Sequence, residues 1–485
     1  MKQLSGSDAF FLYADKPGQR QHVSMVYLYD QSTAPGGLVR FKTILERVRE
    51  RLPLSTLFRR RLARVPLDLD YPYWIEDPDF DLEYHVRHIA LPAPGDWRQL
   101  CIQLSRLHSR ALNLARPPWE MYVIEGLDHV DFLPAGAFAV MIKVHHAAID
   151  DATESDFTAA LHDADPDRPR KPPRDQWHPE SEPNAGQLMT LAWFNTTTKL
   201  IETGQSLWER LPLVGGRGRK PGPLLHGDDA PAPRTRFGAE VSPYRAWNAR
   251  FFDLEAARRI GAAVPGADVD DVALAVIGGA MTRYLDHLGE APDGSLHALV
   301  PVHVHEASGP NLPGHRVLLL RVNLATRLSD PLARLDAIAA ATGHARGRER
   351  DAAADRRDAE AMDELQDSLP SPTMALLARA VEAGFGPGKH YREDQNTIVS
   401  HVDGPNRPVY FCGARLVGFT GMGAVVDNLA LNHTVTTCYG RLTIAATCDR
   451  ELMRRPNFYG RCMEAAFEEL AGAAGASDTA QRRRA

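Results

Sequence analysis

Lys143-Val144-His145-His146-Ala147-Ala148-Ile149-Asp150-Asp151-Ala152-Thr153-Glu154 is the stretch whose reading decides the rest of the chain. The apolar run before it, Ala137–Val144, predicts a buried strand that ends in two adjacent histidines. Successive strand residues face opposite sides, so only one of His145 and His146 points into a given cavity. A histidine at a strand end is placed to act as a general base, and it is equally placed to be a hydrogen-bonded rim residue. Asp151-Ala152-Thr153-Glu154 also resembles a capping box opening a helix to about Leu161, so part of the aspartate cluster has a capping role available to it. Zinc-protease geometry needs histidines at i and i+4 on one helix face with a glutamate between them. Adjacent histidines at a strand end do not supply it, and no metal site is expected.

The chain has 485 residues, enough for two domains or three. Hydrophobic residues make up 44% and charged residues 24%, as in globular proteins, and the net charge of −6 carries no nucleic-acid footprint. Cys101, Cys412, Cys438, Cys448 and Cys462 are odd in number and lack CxxC spacing, which favours reduced thiols over a disulfide framework or a zinc site. The opening MKQLSGSDAFFLYADK is interrupted by Asp8 and Asp15 and lacks a signal-peptide core. No apolar run approaches the roughly 20 residues of a spanning helix. A cytoplasmic protein is expected, with peripheral association with the inner membrane face or lipid bodies kept open.

Along the chain, His22–Tyr29 reads as a strand, Leu38–Leu52 as a helix, 71–92 as strand-like, and Asp96–Ala115 as a helix broken by Arg116-Pro117-Pro118. Met121–Leu127 reads as the strand before 137–144. Arg59, Arg60, Arg61 and Arg64 read as a solvated basic turn. From Asp163 to Asn184 the composition shifts to Pro, Asp, Arg and Lys, a linker signature. Gln187–Leu211 has helical spacing, with an apolar face of Met189, Trp193, Leu200, Leu207, Trp208 and Leu211 suited to protein packing or to a membrane interface. The second half alternates strands (246–252, 296–304, 317–324, 408–416, 441–447) with helices (269–288, within 330–385, 456–471). The expected division is 1–165, a linker at 166–236, 237–475, and a disordered tail at 476–485. Strand–helix alternation in both halves implies an α/β fold. The absence of GxGxxG, GxxxxGK and GxSxG removes the usual support for nucleotide-cofactor and serine-hydrolase readings.

Several segments together resemble the bacterial wax ester synthase/diacylglycerol acyltransferase family, itself related to CoA-dependent acyltransferases and peptide-synthetase condensation domains. They are Leu4–Asp8, Phe58–Leu62, Trp74–Val86, the Arg116–Gly126 segment, His145–Asp150 as an HHxxxD core, Asp271–Ala280, Val300–Val302, Gly314–Val317, Leu431-Asn432 and Tyr439–Leu442. The resemblance implies two chloramphenicol-acetyltransferase-like domains, each a mixed sheet with packed helices, joined by a long crossover linker. The chain departs from the family pattern at Asp151 (normally Gly), Asp270 (normally Asn), His401 (normally Asn), Asp403 and His315.

The implied reaction moves a fatty acyl group from acyl-CoA to a hydroxyl of diacylglycerol or a long-chain alcohol, with acyl-CoA as substrate and no cofactor. By the same carry-over His146 is the general base, His145 supports it, and Asp150 shapes the loop. Trp119, Asp270, Asp271 and Asn432 are the candidate substrate-side residues; Trp119 and Asp271 are expected mainly to hold architecture, with contact to substrate the alternative, and Asn432 is also an oxyanion candidate or a plain turn residue. A divergent acyltransferase with another acceptor, and a non-catalytic lipid- or CoA-binding relative, are the alternatives.

Overall fold

The structure is a computed structural model describing residues 1–149, 159–167, 175, 177, 179, 181–195, 224–225, 231–304, 316–351, 371–382 and 395–475. In the first half lie β1 (Lys2–Gln3), α1 (Gly6–Ala14), β2 (His22–Asp30), α2 (Phe41–Arg51), β3 (Arg60–Ala63) and β4 (Tyr73–Glu76). They are followed by α3 (Leu82–His85), β5 (Val86–Ala90), α4 (Trp97–Ser109), β6 (Trp119–Leu127) and β7 (Ala137–His145). Helix α5 covers 185–195. The second half begins with β8 (Leu224–Leu225), β9 (Arg245–Asp253), α6 (Leu254–Ala262), α7 (Val269–His287), β10 (His297–Val304) and β11 (Arg316–Asn323). It continues with α8 (Pro331–Asp351), α9 (Ser371–Glu382), β12 (Thr397–Asp403), β13 (Tyr410–Phe411), β14 (Ala414–Met422), β15 (Leu431–Cys438), β16 (Arg441–Asp449) and α10 (Pro456–Ala473).

Two large mixed sheets carry the molecule, with strand orders β13-β14-β2-β7-β6-β5 and β8-β11-β10-β12-β15-β16-β9, beside a small β1-β4-β3 sheet. The expected α/β class with two mixed sheets and packed helices is what the structure has. Alternate residues of β7 serve two cores, as period-2 geometry requires. Phe138, Val140, Ile142 and Val144 join one cluster with α2, while Ala137, Ala139 and Met141 join another under α4. In the second half α7 is buried from Asp271 to Met281, so it reads as apolar all round and not as a stripe. Gly279 lets it approach α10, since a Cβ there would stand 3.0 Å from the Ala466 Cβ.

One strand pairing crosses the expected domain division. Strands β13 and β14 come from the second half, yet β14 pairs antiparallel with β2, from Arg415 opposite Asp30 to Met422 opposite Ser24. The first-half sheet is therefore completed by residues far along the chain, and 237–475 is not self-contained. Beside β14 the second sheet begins: Thr436 Oγ1 donates to the Phe419 carbonyl at 2.8 Å and Trp247 Nε1 to that of Gly421 at 3.2 Å.

Three local expectations also change. A helical turn, α3, interrupts the strand-like 71–92 because Asp81 caps it, accepting from Glu83 N at 3.0 Å. The basic cluster is no solvated turn. Arg59 pairs with Asp175 at 2.7 Å and lies over Trp177, and Arg61 pairs with Asp77 at 3.4 Å and Glu182 at 2.9 Å. These arginines hold the linker onto the first domain. On α5 it is Leu188 and Ala192 that pack, against Val65 and Tyr73, whereas Met189 and Trp193 face outward. The packed face sits one residue round from the expected one; Leu200, Leu207, Trp208 and Leu211 lie outside the described residues.

Candidate active site

Strand β7 delivers the histidine pair. His145 is its last residue, opposite His22 of β2, and His146 opens a 3-10 turn through Ala148. The main chain is held on both sides: His145 N–H donates to Pro118 O at 3.0 Å and His146 N–H to Gln21 O at 2.8 Å. The Arg116-Pro117-Pro118 break thus positions the pair.

The two side chains diverge as the strand–turn geometry requires. His145 is buried, its Nδ1 accepts from Ala147 N–H at 3.2 Å, and its Nε2 lies 3.2 Å from Asp15 Oδ2. A backbone N–H can only donate, so Nδ1 carries the lone pair and the ring proton sits on Nε2. Asp15 Oδ1 in turn holds Arg20 at 2.9 Å. His146 stacks on Phe11 of α1, with centroids 4.1 Å apart and planes 11° apart. Burial pushes its pKa down to about 4, with the neighbouring His145 lowering it further and a hydrogen bond to its own main chain acting the other way. At neutral pH the ring is uncharged and able to take a proton.

On the same face of β7, fully buried Lys143 lies 2.9 Å from Glu120 and donates to the carbonyls of Leu107 and Arg110 at 3.2 and 3.0 Å. Burial lowers the Lys143 pKa. Burial alone would raise that of Glu120, but Lys143, Tyr122 and Arg87 hold it below its ordinary value. Beside them His108 Nδ1 meets Ser24 Oγ at 2.9 Å and the His22 ring reaches the His108 carbonyl at 2.5 Å. His108 also bonds the main chain of Gly423, and burial pushes its pKa down to about 3. Asn432 Nδ2 donates to the next carbonyl, that of Ala424, at 3.3 Å. This buried polar chain joins α4, β2, the end of β14 and the start of β15.

The expected site residues part company here. His145, His146 and Asn432 lie at the β2/β7 end of the seam between the sheets, with Asn432 holding the main chain after β14. Asp150 and Asp151 lie outside the described residues, as does His315. Trp119 lies in the core, in keeping with the architectural side of its expected role. It is fully buried, donates Nε1–H to Phe58 O at 3.0 Å and stacks on His85 at 4.6 Å. Asp271 forms a capping box with Asp268 at the start of α7 and accepts from Thr342 Oγ1 at 2.7 Å. Asp270 stands at the other end of the seam, 2.6 Å from His401 Nδ1, with Asp403 3.1 Å from Nε2. Three departures from the family pattern thus form one cluster. Among the described residues no group of three His, Cys, Asp or Glu side chains could hold a metal. The five cysteines are free and buried.

Sequence reading missed Phe11, Asp15, His22, Ser24 and His108. A signal existed for the first two: they are four apart on a helix and share a face. The other three look like ordinary strand and helix residues until β2, α4 and β7 are brought together.

Two mixed sheets with packed helices, meeting at a seam, are the fold that condensation domains also have. The first condensation domain of the CDA synthetase shares this fold, at TM-score 0.52 and 13% identity over 98% of this chain and 97% of that one. Within this fold the match is specific. Residues 4–273 match the wax ester synthase/diacylglycerol acyltransferase catalytic domain, and residues 314–471 the WS/DGAT C-terminal domain. The chain belongs to the wax ester synthase/diacylglycerol acyltransferase family and is an acyltransferase of that family. It is 30% identical to a candidate diacylglycerol O-acyltransferase of Mycobacterium tuberculosis over 99% of both chains. A second from that organism is 31% identical over 98% of both. The wax ester synthase/diacylglycerol acyltransferase of Marinobacter aquaeolei VT8 superposes with TM-score 0.70 and 26% identity, covering 98% of this chain and 100% of that one.

Proposed function

We propose that the protein transfers a fatty acyl group from acyl-CoA to the hydroxyl of diacylglycerol or a long-chain alcohol, with His146 as general base. The observation that carries this reading is the His146 ring, kept neutral by burial and held by the Phe11 stack on the turn after β7. The alcohol is the weak partner, since the thioester is already activated. His146 takes the hydroxyl proton as the oxygen attacks the thioester carbonyl, a role worth roughly 10²–10⁴-fold. The tetrahedral intermediate collapses by breaking the C–S bond, and the CoA thiolate leaves and takes up a proton. The names of the Mycobacterium relatives favour diacylglycerol as acceptor, and that of the Marinobacter protein keeps the alcohol beside it. Peripheral association with a lipid surface belongs to the same reading. No described helix is long and apolar enough to cross a membrane, while Trp193 and Phe194 on α5 are 68% and 59% exposed.

The test is CoA thiol release from palmitoyl-CoA, with dioleoylglycerol or hexadecanol added, for wild type and His146→Ala. Acceptor-dependent release that disappears in the variant is expected, and the faster acceptor names the activity. Release that survives the substitution overturns His146 as the base. Flotation with liposomes checks the surface association; protein left wholly at the bottom of the gradient argues against it.

A further inference from the structure

The histidine pair is gripped from the C-terminal end of α1, beyond the Leu4–Asp8 segment that opens the helix. Phe11 and Asp15 are one helical turn apart, so both project from the same side of the C-terminal end of α1. Phe11 lies flat on the His146 ring, and Asp15 accepts from His145 Nε2. A tight turn then returns the chain: Lys16 and Gln19 bridge, Gly18 adopts a left-handed φ of 92°, and Arg20 comes back to Asp15. One residue later Gln21 O accepts His146 N–H. The unit α1–turn–β2 therefore contacts the histidine pair through a ring face, a carboxylate and a carbonyl.

The logical order of these contacts matters. Ala147 N–H lies inside the turn that presents His146 and is satisfied by His145 Nδ1. That bond requires the His145 proton to be on Nε2, and the acceptor facing Nε2 is Asp15. Without the carboxylate the tautomer with the proton on Nδ1 loses one of its two penalties, a lone pair facing Asp15, and only the clash of two donors at Ala147 still opposes it. Whenever the proton moves to Nδ1, the turn loses the Ala147 bond that holds it. The helix is itself secured: Ser5 caps it by accepting from Asp8 N at 3.0 Å, and Tyr13 meets Ser371 of α9 at 2.5 Å.

We propose that Phe11 and Asp15 are positioning residues for the acyl transfer: α1 clamps the histidine pair, Asp15 fixing the His145 tautomer and Phe11 the plane of the His146 ring. This rests on the reading of His146 as the base. A clamp of this kind acts on the chemical step and leaves substrate affinity alone, and an ångström of misplacement can cost up to about a hundredfold in rate.

Steady-state kinetics of the full-length protein test it, with palmitoyl-CoA and the preferred acceptor, for Asp15→Ala, Asp15→Asn, Phe11→Ala and Phe11→Tyr beside His146→Ala. Asp15→Ala and Phe11→Ala are expected to lower kcat by about ten- to a hundredfold with KM within about twofold. Asp15→Asn keeps an oxygen that accepts from Nε2–H, and Phe11→Tyr keeps the stacking ring, so each is expected to recover most of that loss. Because Asn and Tyr are nearly isosteric replacements, they report even where the alanine variants fold poorly. Full activity in both alanine variants, or Asn and Tyr variants as impaired as the alanines, overturns the clamp. A loss that falls on KM instead of kcat does so too. If His146→Ala retains activity, the assignment of the base fails; if it is dead while Asp15→Ala and Phe11→Ala are normal, only the clamp fails.

Discussion

The two ends of the seam treat a histidine in opposite ways. At one end no carboxylate among the described residues lies against the His146 ring, and burial drives its pKa down to about 4. At the other end, burial alone would lower His401, but Asp270 and Asp403 outweigh it and hold the pKa at about 9. The ends are linked by β15, where Asn432 belongs to the first and Thr437, which donates to Asp403 at 2.8 Å, to the second. A neutral ring can accept a proton from an alcohol. A ring held protonated between two carboxylates cannot, and serves as an ionic tie between the start of α7 and the end of β12. Burial alone keeps a histidine neutral, and burial between two carboxylates keeps it charged.

The largest test of this contrast is removal of each ring. His146→Ala is expected to lower turnover by roughly 10²–10⁴-fold, whereas His401→Asn leaves turnover within about twofold when assayed by thiol release. Equal losses would erase the distinction. The next test addresses the dry end. Lys143→Ala leaves buried Glu120 with only the partly exposed Arg87, 3.4 Å away, as its cation, which costs up to about 3–5 kcal/mol in unfolding free energy by denaturant titration. A loss below about 1 kcal/mol would show that water reaches Glu120.

A third test uses pH. His22, His85, His108, His146 and His433 all have lowered pKa values, with burial the leading cause in each. The unfolded chain takes up these protons near 6.5 and the folded protein does so only at lower pH. Stability therefore falls as pH drops below about 6.5, by up to about 1.4 kcal/mol per pH unit for each proton. In the range where the protein stays folded, kcat/KM is expected to show no inflection at 6.5, since His146 titrates near 4. An acid limb centred at 6.5 would mean a solvated base.

The smallest effect belongs to His401, whose shift has the other sign. Its contribution is fully present below the unfolded value near 6.5 and is lost as pH rises through about 9. Asp270 and Asp403 are half-exposed and largely exposed, so His401→Asn is expected to cost no more than about 1 kcal/mol at neutral pH and nothing measurable above pH 10. A cost that persists at high pH would assign His401 a packing role.

Much of the element order is legible in the residues. The apolar run 137–144, the break at Pro117-Pro118 and the periodic stretch 269–288 appear in the structure as β7, the approach to β6, and α7. The histidine pair is also legible as a candidate site, while the choice of His146 as the base comes from the resemblance to the family motif and not from the strand. Less legible are the partners. The residues suggest that Trp119 and Asp271 hold architecture, but that they do so through Phe58 and His85 for the one, and Asp268 and Thr342 for the other, is visible only in the structure.

By itself the sequence determined what depends on neighbours along the chain: where strands and helices run, through periods of 2 and 3.6, and which turn carries the histidines. Tertiary structure decided what depends on residues remote in the chain. It inserted β14 beside β2, drew Asp270, His401 and Asp403 into one cluster, and brought Phe11 and Asp15 onto the histidine pair. The physical reason is that hydrogen-bond register and burial, which set tautomer and pKa, are properties of who surrounds a side chain, and no local pattern encodes its surroundings.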